Sequence, residues 1–139
     1  MKNSTALVLP APSRYALIAD PDPGVRAQLG SVLRQRGLGV LEAATGEEAV
    51  AMVRDYLTLL DLVVLELVLP GKDGFDVLGE IRTPTRQHAV PIVVVTGHGA
   101  EMAKCALELG ADEAVLKGAS DEEVGAFLDL ALANRAAPA

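Results

Sequence analysis

The chain predicts an α/β fold, a doubly wound (βα)5 sandwich around a five-stranded parallel sheet, and three observations carry that expectation. Apolar runs of strand length alternate with helical patterns along the chain. Half of the residues are hydrophobic but only 3% are aromatic, so the core is expected from Val, Leu, Ile and Ala, which suits parallel strands buried on both faces. Four runs end on a polar, chemically capable residue: Tyr15–Ala19 on Asp20, Leu62–Leu65 on Glu66, Ile92–Val95 on Thr96 and Ala114–Leu116 on Lys117. As parallel neighbours these strands would gather two carboxylates, a hydroxyl and an ammonium at the carboxyl edge, where open α/β sheets place ligands.

Each element has its own start and stop signals. After the first strand, Asp22 is a candidate N-cap and Pro23 a first helical residue, with Val25, Leu29, Val32 and Leu33 as the apolar stripe and Gly37 and Gly39 as the close. A weaker strand, Val40–Ala43, leads to Thr45-Gly46-Glu47-Glu48, which has capping-box spacing, and to Ala49, Met52, Val53 and Tyr56 at helical intervals. The third strand lies in the stretch from Leu57 to Leu69, broken only by Thr58, Asp61 and Glu66. Pro70-Gly71-Lys72-Asp73-Gly74 stops it. Phe75, Leu78 and Ile81 then mark a short helix ended by Thr83-Pro84. The fourth run, after Pro91, passes through Thr96-Gly97-His98-Gly99 to a helix ending at Gly110. The fifth strand passes through Lys117-Gly118 to Ser120-Asp121-Glu122-Glu123, a second capping box, whose helix points Val124, Phe127, Leu128 and Ala131 inward. Every crossover is expected to be right-handed.

Composition narrows the function. At 139 residues the chain has room for one core. A net charge of −7 with no Lys/Arg cluster speaks against nucleic-acid binding by this domain. The only uninterrupted apolar stretch before Ser13 is Ala6–Leu9, shorter than a signal-peptide core and far shorter than a membrane span. Cys105 has no partner for a disulfide, and Met102, Ala103, Ala106 and Leu107 around it predict a buried helical thiol, which fits a reducing, cytoplasmic setting. Residues 1–13 are expected as a flexible tail, 14–134 as the domain, and 135–139 as a C-terminal tail or the start of a linker.

Several polar residues have ordinary local roles. Asp61 is read as a helix-to-strand boundary residue, Asp73 as the cap of the third helix, and His98 and His88 as exposed loop residues. Asp121, Glu122 and Glu123 suit the positive end of a helix dipole.

The segments Ile18-Ala19-Asp20-Pro21-Asp22-Pro23, Leu65-Glu66-Leu67-Val68-Leu69-Pro70-Gly71-Lys72-Asp73-Gly74, Val95-Thr96-Gly97 and Leu116-Lys117 resemble the receiver domain of bacterial two-component response regulators, over roughly Arg14 to Ala133. The Leu-Pro-Gly-x-Asp-Gly turn after a buried strand is the most specific part. The resemblance implies a flavodoxin-like fold and a signalling module, not an enzyme, that takes a phosphoryl group from a histidine kinase and changes shape. It also implies an acidic pocket at Asp20 and Asp22, phosphate contacts at Thr96 and Lys117, and Asp20, Glu66 and the Val68 backbone as the remaining magnesium donors. Its protein partners would be a histidine kinase or an output domain, with a homodimer formed through the fourth helix, fifth strand and fifth helix.

The chain departs from that pattern at the places where the chemistry is done. Pro21 stands where the second acid belongs, and Glu66 stands at the phosphoacceptor position in place of aspartate. Magnesium requires near-octahedral oxygen ligation at ~2.1 Å, so loss of a carboxylate weakens its site, and no cofactor is expected beyond a weakened Mg2+. The extra methylene of Glu66 advances its carboxylate by roughly 1.5 Å, more than in-line attack tolerates. From there a fixed carboxylate can instead reach Thr96 and Lys117. The switch position, an aromatic in the family, is Ala114, and Gly118 follows the lysine where proline is frequent. These losses together predict a degenerate receiver, or pseudo-receiver, acting through protein–protein contact, with a receiver still phosphorylated at Glu66 or on Asp20 as the alternative.

Two fold-mates compete. Asp20-Pro21-Asp22 with Thr96 and Lys117 also resembles the haloacid-dehalogenase phosphatases, in which the first Asp is the nucleophile and the second a general acid/base. Against that reading, Gly24 stands where Thr or Val is expected and no acidic motif follows Lys117. A flavodoxin would need a hydroxyl-rich phosphate loop where this chain has Asp22-Pro23-Gly24, which repels phosphate.

Overall fold

The computed structural model describes residues 11–83 and 90–136. Its elements alternate throughout: β1 (Tyr15–Ala19), α1 (Pro23–Arg34), β2 (Gly39–Ala43), α2 (Gly46–Tyr56), β3 (Leu60–Leu65), α3 (Gly74–Ile81), β4 (Ile92–Thr96), α4 (Ala100–Glu108), β5 (Glu113–Leu116) and α5 (Asp121–Ala136). The five strands form one parallel sheet in the order β2-β1-β3-β4-β5. The expectations for Ala6–Leu9, Pro84, His88 and residues 137–139 lie outside the described residues.

Period-2 alternation divides the sheet between two cores. Leu17, Ala19, Val63, Leu65, Ile92 and Val94 face one side, with Val50 and Val53 of α2, Leu78 and Ile81 of α3 and Ala106 of α4. Ala16, Ile18, Leu62, Val64, Val93, Val95 and Val115 face the other, with Leu29 and Leu33 of α1 and Leu128 and Ala131 of α5. The largest fully buried side chains are all Leu, Ile or Val. Burying one such side chain contributes roughly 1.5–3 kcal/mol, so the doubly covered sheet anchors its own carboxyl edge.

The helix starts follow the sequence closely. Asp22 accepts from the Gly24 amide at 2.8 Å and caps α1. Asp73 and Asp76 form a reciprocal capping box on α3. Ser120 and Glu123 do the same on α5, at 2.9 and 3.1 Å. At α2 Thr45 accepts from the Glu48 amide at 3.1 Å, but the Glu48 carboxylate accepts from Ala44, one residue upstream of the expected position, at 2.7 Å.

Four expectations need correction. Cys105 is exposed, not buried: α4 sets Ala103 and Ala106 against the sheet, and at about 100° per residue position 105 then turns to solvent. Leu107 follows it outward, 44% exposed. In α2 the inward positions are Ala49, Val50 and Val53, while Tyr56 is 42% exposed. Leu57–Leu59 form a 3-10 turn before β3, which makes Asp61 the second residue of the strand, where it pairs with Arg14.

Close approach of the backbone fixes the loop beyond β3. The Gly46 amide donates to the Pro70 carbonyl at 3.1 Å, and a Cβ at Gly46 would overlap the Lys72 carbonyl oxygen. Gly71 turns with φ of 74° beside the Glu47 carboxylate, a conformation open to glycine at little cost. The Pro70–Gly74 turn is thereby held against the start of α2.

Candidate functional site

Register brings the four strand-end residues together. Ala19 is the partner of Leu65, and the Glu66 amide donates to the Ala19 carbonyl at 2.9 Å, which places Asp20 and Glu66 on adjacent strand ends. Thr96 is the partner of Leu116, and the Lys117 amide donates to the Thr96 carbonyl at 2.8 Å. Asp20, Glu66 and Thr96 are 2%, 3% and 0% exposed, the only buried polar or charged residues among those described. Buried polar groups need partners, and these find them in Lys117 and in neighbouring backbone amides.

Lys117 is the hub. Its Nζ lies 2.7 Å from Asp20 Oδ2 and 3.0 Å from Glu66 Oε1. The other Asp20 oxygen, Oδ1, accepts from the Asp22 amide at 2.9 Å. Glu66 Oε2 accepts from the Leu67 amide at 2.6 Å and from the Val68 amide at 3.4 Å. Glu66 Oε1 also accepts from the Gly97 amide at 3.3 Å, and the Thr96 hydroxyl helps to hold the same carboxyl below its ordinary value. Thr96 Oγ1 in turn accepts from the His98 amide at 3.2 Å.

The electrostatics follow from those partners. Burial alone raises the Glu66 pKa, but hydrogen bonds from Thr96, Lys117, Leu67 and Gly97 outweigh it and hold the carboxyl below its ordinary value. Burial likewise lowers Lys117, and the bonds to Asp20 and Glu66 more than reverse that, so the ammonium lies above its ordinary value. At neutral pH both are charged.

The remaining site positions divide. Asp22 turns its carboxylate to the cap of α1, so its side chain serves the helix and its amide serves Asp20. Ala114, half-buried on β5, packs against the core shared with α2, α3 and α4 and brings no ring to the edge. His98 is exposed. The Gly97 amide was not foreseen, because a backbone donor leaves no side-chain signal. Nor was Arg26, whose Nη1 donates to the Asp20 carbonyl at 2.7 Å while Nε holds Glu42 at 2.9 Å.

These residues make a poor donor set for magnesium. Pro21 offers no carboxylate, Asp22 is engaged elsewhere, and an ammonium already bridges Asp20 and Glu66. Among the described residues no group of three or more His, Cys, Asp or Glu side chains forms an array that could hold a metal ion.

A doubly wound parallel sheet with its chemistry gathered at the carboxyl edge places the chain in the flavodoxin-like class. The profile of the family described as "Response regulator receiver domain" matches residues 16–129, and the chain belongs to that family. The transcriptional regulatory protein CpxR of Klebsiella pneumoniae subsp. pneumoniae (strain HS11286) is 35% identical over 109 residues, covering 78% of this chain and 44% of that protein. The transcriptional regulatory protein AruR of Pseudomonas aeruginosa is 35% identical over 112 residues, covering 78% and 45%. The chain therefore spans less than half the length of these curated relatives. The BeF3-activated N-terminal receiver domain of Klebsiella pneumoniae RstA is 28% identical with a TM-score of 0.74, over 86% of this chain and 98% of that one. A receiver domain protein from Clostridium thermocellum shares the fold with a TM-score of 0.78, at 23% identity over 88% and 96%. No helix among the described residues is long and apolar enough to cross a membrane.

Proposed function

We propose that this receiver domain works without ordinary phosphoacceptance, with Glu66 occupying the groups that would otherwise receive a phosphoryl group. One observation carries the reading. The Lys117 ammonium sits 2.7 Å from Asp20 and 3.0 Å from Glu66, while the Thr96 hydroxyl and the Gly97 amide also serve the Glu66 carboxylate. A nucleophile must be free to approach phosphorus in line, and geometric errors near 1 Å already cost about 10²-fold. Here each Glu66 oxygen is held by backbone or side-chain donors. Magnesium binding is correspondingly weak.

The domain then holds one phosphate-independent state and signals through protein contact. A carboxylate supplies one negative charge where a phosphoryl group supplies roughly two, so Glu66 imitates the phosphorylated site only in part. The partner is a histidine kinase or an output domain, engaged through α4, β5 and α5. Leu107 and Leu116 on α4 and β5 and Leu130 on α5 are 44%, 45% and 54% exposed, which gives that face apolar contact area.

Intact mass after incubation with acetyl phosphate and Mg2+ tests the reading. The expected spectrum holds the unmodified chain alone, and the Pro21→Asp, Glu66→Asp double variant, which restores the second acid and shortens the acceptor, gains one phosphoryl group. A phosphoryl adduct on Glu66 or Asp20 of the natural sequence overturns it.

A further inference from the structure

At the opposite end of the sheet an apolar groove of about 180 Å³ opens between Tyr15, Leu41, Tyr56 and Leu59. Its walls come from the start of β1, the outer strand β2, the end of α2 and the 3-10 turn. Tyr56 and Leu59 are 42% and 43% exposed, although they flank the core. Gly39 lets the Tyr15 ring lie against the β2 backbone, where a Cβ would collide with it, so one wall is fixed. The Arg14–Asp61 ion pair pins the chain just before that ring.

We propose that this groove is the docking site of the chain's own N-terminal segment, with the side chains of Leu7 and Leu9 as its occupants. Residues 1–10 lie outside the described structure, and they precede by only a few positions the residue that forms the groove's wall. They hold Ala6-Leu7-Val8-Leu9, the one uninterrupted apolar run outside the domain core. Pro10 and Pro12 bias Leu9 and Ala11 toward extended backbone, and in an extended segment Leu7 and Leu9 share a face. From Leu9 to Tyr15 six residues reach at most about 20 Å, ample for a turn back onto a groove that begins at Tyr15. The groove walls carry no charge, and neither does Ala6-Leu7-Val8-Leu9, so seating that run desolvates none. Tethering sets the local concentration in the millimolar range, so modest contact suffices. This inference is independent of the state of Glu66.

Three proteins test it: the full chain, the Leu7→Asp, Leu9→Asp variant, and the full chain carrying Tyr56→Ser. In the full chain, methyl-to-ring nuclear Overhauser contacts link Leu7 or Leu9 with Tyr15 or Tyr56, and they persist on dilution. The double aspartate variant loses these contacts and about tenfold in the folding equilibrium constant measured by urea, as expected for exposing roughly 55 Å² of apolar surface. In the Tyr56→Ser background the aspartates cost less than threefold, because the groove is already broken. Absence of the contacts, or equal stability of the aspartate variant and the natural sequence, overturns the proposal. So do contacts that appear only between differently labelled molecules, which would assign the groove to a second copy.

Discussion

Replacing Lys117 by methionine isolates the interaction on which the site rests. One ammonium reaches both Asp20 and Glu66, at 2.7 and 3.0 Å, so the two acids lie within about 6 Å of each other. Their side chains are both 2% exposed. At an effective dielectric near 20, two like charges about 6 Å apart repel by roughly 3 kcal/mol, and removing one partner of a buried pair typically costs about 3–5 kcal/mol. Lys117 itself is 30% exposed, so the lower end applies, and Lys117→Met should destabilise the domain by about 3 kcal/mol at pH 7. The penalty has a signature. It requires Glu66 to be ionised, so it shrinks as pH falls into the ordinary carboxylate range near ~4, and Glu66→Gln in the methionine background should recover much of it at neutral pH. Urea unfolding at pH 7 and pH 4.5, with a double-mutant cycle over Lys117 and Glu66, measures all three quantities. A loss under about 1 kcal/mol at neutral pH, or one that is unchanged at acid pH, would refute the account of Lys117 as the group that makes two buried carboxylates tolerable.

The natural sequence should show the complementary pH dependence: Glu66 is held below its ordinary value, so its contribution is present at neutral pH and lost as pH falls through the native pKa, whereas Lys117 is raised and loses its contribution only in strong alkali. Chemical denaturation across pH 3–11 reads both limbs, and flat stability between pH 6 and pH 3 would contradict the first. Gly46→Ala should destabilise by about 1–3 kcal/mol or more, because its Cβ would overlap the Lys72 carbonyl; an unchanged urea midpoint would show that the turn beyond β3 moves aside freely. Cys105 is exposed on α4, so one equivalent of a thiol reagent should react without denaturant and leave the far-ultraviolet spectrum intact, and reaction only after unfolding would restore the buried-thiol expectation.

The parts of this molecule legible in its sequence are those written in side chains at fixed periods. Strand runs ending on Asp20, Glu66, Thr96 and Lys117 give away both the sheet and its candidate site, because parallel strands leave the same edge in the same direction. Asp22, Asp73 and Ser120 announce their helices because a short polar side chain has one favoured use at such a place. The orientation of α4 was not legible. Met102, Ala103, Ala106 and Leu107 allow the stripe to be centred on either side of Cys105, and the packing of Ala103 and Ala106 selects one of them. The split between the 3-10 turn and β3 was equally hidden, since Leu57, Leu59, Leu60 and Leu62 are chemically alike and an apolar run has no period that tells a turn from a strand. The Gly97 amide depends on register alone.

The place of Glu66 in the fold dictates how its carboxylate is satisfied. A carboxylate just past a buried strand cannot stay unpaired at 3% exposure, because ionised groups in such places must be bonded or neutralised. The donors within reach are those that this edge presents to any anion: the Lys117 ammonium, the Thr96 hydroxyl and the amides of Leu67 and Gly97. The longer side chain allows Glu66 to satisfy them from within the chain. The same contacts that stabilise its ionised form also hold both of its oxygens in place. On the proposed reading, stability of the edge and loss of phosphoacceptance are two consequences of one arrangement, and the Pro21→Asp, Glu66→Asp double variant tests that link.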